Sequence, residues 1–147
     1  MNISLDGYAN LVKKLDYLGG NGMDAVMKGL HLGAEKIKQD ARAIVPAKTG
    51  HLRQSITVEK IPNGYQVGTN ERYGVYVEYG TGTKGDPSVP HTARKSWRYK
   101  DAEGKWHTSH GVKAHPYMRP SCEKNRTYVV KMARAQLIKA LNERMGG

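Results

Sequence analysis

Four of the six histidines, His91, His107, His110 and His115, fall within one short stretch of the chain. Imidazole is the commonest metal ligand and a frequent general base, so a metal centre or a metal-dependent nuclease is the first chemistry to weigh. Zinc needs three or four ligands in a fixed geometry. The single cysteine, Cys122, supplies no thiolate pair, and the nearest carboxylates, Asp101 and Glu103, fall in a polar turn. His107 and His110 are three apart on a segment that reads as strand, which sends them to opposite faces. The cluster falls short of a metal set. Ser55, Ser88, Ser96, Ser109 and Ser121 lack the Gly-x-Ser-x-Gly elbow of a hydrolase. The run Gly80-Thr81-Gly82-Thr83-Lys84-Gly85 lacks the Gly-Lys-Ser/Thr ending of a phosphate loop, and no helix follows it. Paired carboxylates for acid–base work are absent. The residues imply neither catalysis, nor a cofactor, nor a metal.

The elements that would position these residues are legible from periodicity. Leu5, Tyr8, Leu11, Val12, Leu15 and Leu18 have helical spacing and are halted by Gly19-Gly20. Met23, Val26, Met27, Leu30, Ala34, Ile37, Ala41 and Ile44 form one stripe of a longer helix, with Lys28, Lys36, Lys38 and Asp40 largely off it. Pro46 ends that helix, because proline disfavours α geometry in the residue before it. Ser55–Ile61 is rich in β-branched residues, and Pro62-Asn63-Gly64 turns the chain into a second strand over Tyr65–Thr69. The alternation over Gly74–Tyr79 predicts a third strand, with Val75, Val77 and Tyr79 on one face and Tyr76 and Glu78 on the other. Gly80–Thr83 then reads as a flexible loop. Residues 84–115 form an excursion in which Lys95–Lys100 and Lys105–His110 flank the turn Asp101-Ala102-Glu103-Gly104. A last helix runs from about Ser121 to Met145, its apolar stripe marked by Cys122, Val129, Met132, Ala133, Leu137, Ala140 and Leu141. The expectation is one α+β domain over 1–147. It has a short helix over 1–20, a long helix and a C-terminal helix packed on a small antiparallel sheet, a three-stranded meander plus a hairpin arm over 84–115.

Composition agrees with a thin core and a wet exterior. There is no phenylalanine, and the aromatic content rests on nine tyrosines and two tryptophans, whose polar handles favour half-buried positions and contact surfaces. One cysteine excludes an intramolecular disulfide, and no signal segment or bilayer-length apolar run is present, so a soluble protein in a reducing compartment is expected. The net charge of +11 is uneven: residues 1–73 carry ten Lys+Arg against seven Asp+Glu, residues 74–147 fourteen against six. Such a basic half suits a polyanion or an acidic partner surface, or else is a solvated face.

Three stretches carry a resemblance. They are Val45-Pro46-Ala47-Lys48-Thr49-Gly50-His51-Leu52-Arg53-Gln54-Ser55-Ile56, Tyr73-Gly74-Val75-Tyr76-Val77-Glu78-Tyr79-Gly80-Thr81 and His115-Pro116-Tyr117-Met118-Arg119-Pro120. In this order the chain resembles the small tail-completion, or head–tail joining, proteins of long-tailed bacteriophages and prophages. Thr49, Gly50, Leu52, Arg53, Ser55 and Ile56 match the first motif, Glu78 to Thr81 the second, and Pro116, Tyr117, Arg119 and Pro120 the third. Gly74 and Ser121 stand where alanine is commoner. The resemblance implies a non-enzymatic virion part at the neck or tail, assembled in the host bacterial cytoplasm. It implies a ring of copies, hexameric in relatives, between connector and tail-tube proteins, with no membrane contact and non-specific contact at most with DNA in the channel. A free-standing basic nucleic-acid-binding protein is the alternative, supported by charge alone.

Two expectations are specific to residues. Glu78 forms a charged pair with Arg53 or with Arg119 that fixes the sheet against a helix start. The arm, which as an isolated hairpin is marginal in water, uses Trp97, Tyr99 and Trp106 as interface anchors. Lys84, Arg94, Lys95, Arg98, Lys100 and Lys105 meet an acidic partner or a polyanion.

Overall fold

The computed structural model describes residues 13, 16–46, 48 and 50–146. The helix expected over Leu5–Leu18 lies outside the described residues except for Lys13 and Asp16–Leu18, which are helical, with Leu18 buried. The chain turns at Gly19, whose φ of 61° suits glycine, and enters helix α1, Gly20–Ile44. There follow α2 (Gly50–Ser55), β1 (Thr57–Ile61), β2 (Gly64–Gly68), α3 (Gly74–Tyr79) and a 3-10 turn over Gly82–Lys84. Strands β3 (Trp97–Lys100) and β4 (Trp106–Ser109) precede the last helix, α4, Met118–Met145. The class is α+β, with two separate two-stranded antiparallel sheets in place of a three-stranded meander.

The chain packs as two compact units. One comprises the described residues up to Lys36, together with 58–66 and 124–146. Here α1 lies against α4 with glycine at the closest points: a Cβ on Gly29 would come within 2.4 Å of Ala133 Cα, and one on Gly33 within 2.7 Å of Val129 Cγ2. Ala25, Met27, Ala34 and Leu137 are buried, and His31 packs its ring on Tyr65 at 4.9 Å. The predicted stripes are present, but their ends emerge: Met23 and Ile44 are exposed. Val130 and Ile138 of α4 are exposed as well.

The other unit comprises 37–57 and 67–123. Its core is Ala41, Val45, Leu52, Ile56 and Tyr117, with Val67, Tyr73, Val77 and Met118 packed around them. Two expectations are corrected here. The strand expected from Ser55 starts at Thr57, because α2 takes residues 50–55 and uses its turn to bury Leu52 completely. The strand expected over 74–79 is helix α3. As a helix it puts Gly74, Val77 and Glu78 on one inward face and leaves Val75 and Tyr76 at 59% and 57% exposure. Six residues of alternating type fit both periods, and the helix wins because it alone turns the neighbours Val77 and Glu78 inward together while Val75 and Tyr76 face out. The expected turn at Pro62-Asn63-Gly64 does join two strands, with neither Asn63 nor Gly64 at positive φ.

Candidate functional site

The N-terminus of α4 lacks a capping residue of its own, since His115-Pro116-Tyr117 offers no Ser, Thr, Asp or Asn side chain. Glu78 supplies the cap from a distant part of the chain. Its Oε2 accepts the amide N–H groups of Tyr117 and Met118, each at 2.8 Å, and Oε1 accepts that of Arg119 at 3.2 Å. Three of the four unpaired amides of a helix start are thereby satisfied. Pro120, in the first turn, has no N–H to satisfy. Arg119 Nε donates to the same Oε1 at 3.0 Å, and its NH2 group reaches Asp86 Oδ2 at 2.7 Å. The guanidinium also lies 4.6 Å from the ring centroid of Tyr79.

The charge balance of this knot favours its ionised carboxylates. Burial by itself pushes the Glu78 carboxyl up, with 4% of the residue exposed. The amides of Met118 and Tyr117, and then Arg119, outweigh burial and leave it below the usual value. Asp86 is lowered to about 2, chiefly by the hydroxyl and amide of Ser88 and then by Arg119. Of the two pairings expected for Glu78, the one with Arg119 forms. Arg53 instead donates to the carbonyl of Val45, at the end of α1, at 3.0 Å.

The remaining motif residues are also spent on the body. Ser55 donates to the Leu52 carbonyl at 2.9 Å and shares a 2.6 Å hydrogen bond with Thr69. Gly74 tolerates no side chain easily, since a Cβ would meet Thr69 Cγ2 and Tyr117 Oη at 2.9 Å each. Ser121 is buried and donates to the Tyr117 carbonyl at 2.6 Å, a bond alanine could not make. Both departures from the commoner alanine therefore have local reasons. Thr49 lies outside the described residues.

Gly80 and Thr81, expected in a flexible loop, instead root the arm. Thr81 and Val112 exchange backbone hydrogen bonds at 2.8 and 3.2 Å, and Thr81 Oγ1 accepts a further bond from Val112 N–H at 3.0 Å. His115 N–H reaches the Val77 carbonyl at 2.8 Å, and Asp86 N–H that of Tyr79 at 2.7 Å. Gly80 has a φ of 69°, and a Cβ there would stand 2.5 Å from the Val112 oxygen.

Beyond this root, β3 and β4 pair Trp97 with Ser109, Arg98 with Thr108, Tyr99 with His107 and Lys100 with Trp106. The turn closes between Asp101 and Lys105 with Gly104 at a φ of 83°. Trp97 and Trp106 thus lie on opposite faces of the hairpin. Trp97 is half-buried, its ring 3.0 Å from where a Gly82 Cβ would be, whereas Trp106 is 55% exposed and Tyr99 48%. Lys84, Arg94, Lys95, Arg98, Lys100 and Lys105 are all exposed. The histidines do not converge: His107 Nε2 bonds Asp101 Oδ2 at 2.6 Å, and His91 Nδ1 bonds the Val89 carbonyl at 2.7 Å. Among the described residues no group of three His, Cys, Asp or Glu side chains could hold a metal ion, and no helix is long and apolar enough to cross a membrane.

The role of Glu78 as a helix cap was hidden from sequence because a glutamate beside two tyrosines counts as a polar surface residue. The signal that could have found it is the missing cap before Met118, which obliges some other part of the chain to supply one.

Comparison with curated proteins and with solved structures gives no match. One family profile does match, that described as "Bacteriophage HK97-gp10, putative tail-component", over residues 9–80. This span takes in Leu52, Arg53, Ser55 and Ile56 and ends within the Glu78-Tyr79-Gly80 motif, whose carboxylate reaches forward to Arg119. Over residues 9–80, the chain is similar to the HK97-gp10-like family of bacteriophage tail components.

Proposed function

We propose that this chain is a non-enzymatic joining part, which acts at the capsid–tail interface by assembling as a ring and docking on neighbouring connector and tail-tube proteins. The observation that supports this reading is how the side chains are divided. The motif residues described above cap, pack or root the body, while the arm presents exposed aromatics and, among the described residues, exposed cations without a carboxylate at ion-pairing distance. A binding role fits that division. Copy number six is carried by the resemblance to head–tail joining proteins, and location in the neck of the virion by the same resemblance.

Two measurements test this reading. Sedimentation at rising concentration, with and without a tail-tube partner, should reveal a ring; a monomer under every condition contradicts it. Labelled protein in purified particles should lie where the capsid meets the tail, and its absence from particles also contradicts the reading.

A further inference from the structure

We propose that the solvent-facing side of the β3–β4 hairpin, formed by Arg98, Lys100, Trp106 and Thr108, docks an acidic protein segment carrying an apolar side chain among its carboxylates. The inference rests on the reading of the chain as an assembly part, and it names the chemistry of one partner.

The register divides the hairpin into two unequal faces. On one face Trp97 covers Gly82, and Tyr99 stacks on His107 at 5.5 Å, with His107 held by Asp101. That face is engaged with its own chain. On the other, Arg98, Lys100, Trp106 and Thr108 are all exposed. The Arg98 guanidinium lies 5.1 Å and the Lys100 ammonium 5.5 Å from the Trp106 ring centroid. Each such contact is worth about 0.5–1 kcal/mol at an exposed site. It also holds two long cationic side chains in place before any partner arrives, which lowers the ordering cost of binding.

The charge of this face is unneutralised. Of the arm's acids, Asp86 is bound to Arg119 and Ser88, and Asp101 is occupied by His107 and by the amides of Glu103 and Lys105. Glu103 lies in the turn, beyond the paired residues. Neither Arg98 nor Lys100 has a carboxylate within ion-pairing distance among the described residues. Carboxylates on a partner would complete both cations, and an apolar group would cover the exposed indole. Such an aromatic anchor ringed by charge is the usual anatomy of a protein interface. A nucleic acid fits less well, because single-strand binding uses successive aromatic platforms and this face of the hairpin offers one indole among Arg98, Lys100 and Thr108. A second copy fits less well too, since the chain carries a net charge of +11.

The test uses the full chain and a labelled short peptide alternating glutamate and leucine. A glutamine–leucine peptide and a DNA duplex of about two helical turns are compared with it, all at the same salt because both charged ligands respond to ionic strength. The glutamate peptide should bind and alter tryptophan emission. Trp106→Ala, and separately the Arg98→Gln/Lys100→Gln pair, should each weaken it by about tenfold or more. The melting temperature should fall by only a few degrees in either variant, since all that is lost is two exposed contacts. The docking face is refuted if the duplex binds more tightly than the peptide, if the glutamine peptide binds equally well, or if either variant leaves affinity unchanged. Self-association of the pure chain that the double variant abolishes would also overturn it, by making the occupant a second copy. A chain that enters particles yet fails to bind the peptide removes only this proposal. A chain that binds the peptide yet is absent from particles removes only the joining role.

Discussion

Replacing Glu78 with glutamine keeps the size of the side chain and removes its charge, which makes it the sharpest probe of the knot. The carboxylate accepts three amide N–H groups and one guanidinium N–H. Glutamine has one oxygen, so its amide nitrogen must face either the amides of Tyr117 and Met118 or the Arg119 side. An unsatisfied buried donor costs about 1–3 kcal/mol, and loss of a negative charge at a partly buried helix N-terminus up to about 2 kcal/mol. Glu78→Gln should therefore cost about 3 kcal/mol, and Glu78→Ala up to about 5 kcal/mol as for a broken buried pair. Urea unfolding followed by circular dichroism measures this. In a cycle with Arg119→Gln the two changes should couple by about 2 kcal/mol. The pH dependence has a definite sign. Glu78 is lowered in the folded state, so the unfolded chain binds the extra proton first, and stability falls with falling pH. The contribution is complete above the ordinary carboxylate range and is lost as pH drops through the folded value. The glutamine variant should show a shallower acid limb. A loss below about 1 kcal/mol, strict additivity, or an unchanged acid limb would each show that the carboxylate does not cap the helix.

Gly80→Ala should destabilise by about 2 kcal/mol or more, because its φ of 69° and the Val112 oxygen at 2.5 Å from a Cβ act together; thermal melting checks it. Gly29→Ala should lower stability despite a helix-propensity gain of about 1 kcal/mol, since the new methyl meets Ala133 backbone atoms at 2.4 and 2.6 Å. Gly33→Ala should cost less, as its nearest contact is the Val129 side chain; paired urea titrations read the difference. The Tyr117 phenol is raised to about 12 by burial and then by the charges of Glu78 and Tyr73. Its contribution to stability is full below about 10 and is lost as pH rises to about 12, so an ultraviolet titration should show a late phenol wave that Tyr117→Phe removes.

Long-range periodicity made α1 and α4 legible, because an apolar stripe over six or more turns has one explanation. Short elements were not. Residues 50–55 and 74–79 each span six residues, and their helical state is set by which side chains the core accepts. Leu52 and Glu78 enter it, and only the tertiary structure says so. The hairpin was readable because Asp101 to Gly104 has turn chemistry, yet the split between its two faces needed the register. Of the two charged pairs expected for Glu78, one forms. Arg53 completes a helix end rather than an ion pair, while Arg119 takes the carboxylate.

The paired bonds between Thr81 and Val112 have a consequence for how such proteins diversify. Both ends of the arm leave the body through one already closed doorway, fixed on the near side by Asp86 and Arg119. Closing a loop is costly mainly in its constant part, and each doubling of length adds only about 0.6 kcal/mol. Residues 89–110 can therefore be exchanged, lengthened or rewritten as a cassette without disturbing Leu52, Ile56 or Tyr117. A lineage could change what its arm recognises in one genetic step and inherit the body intact.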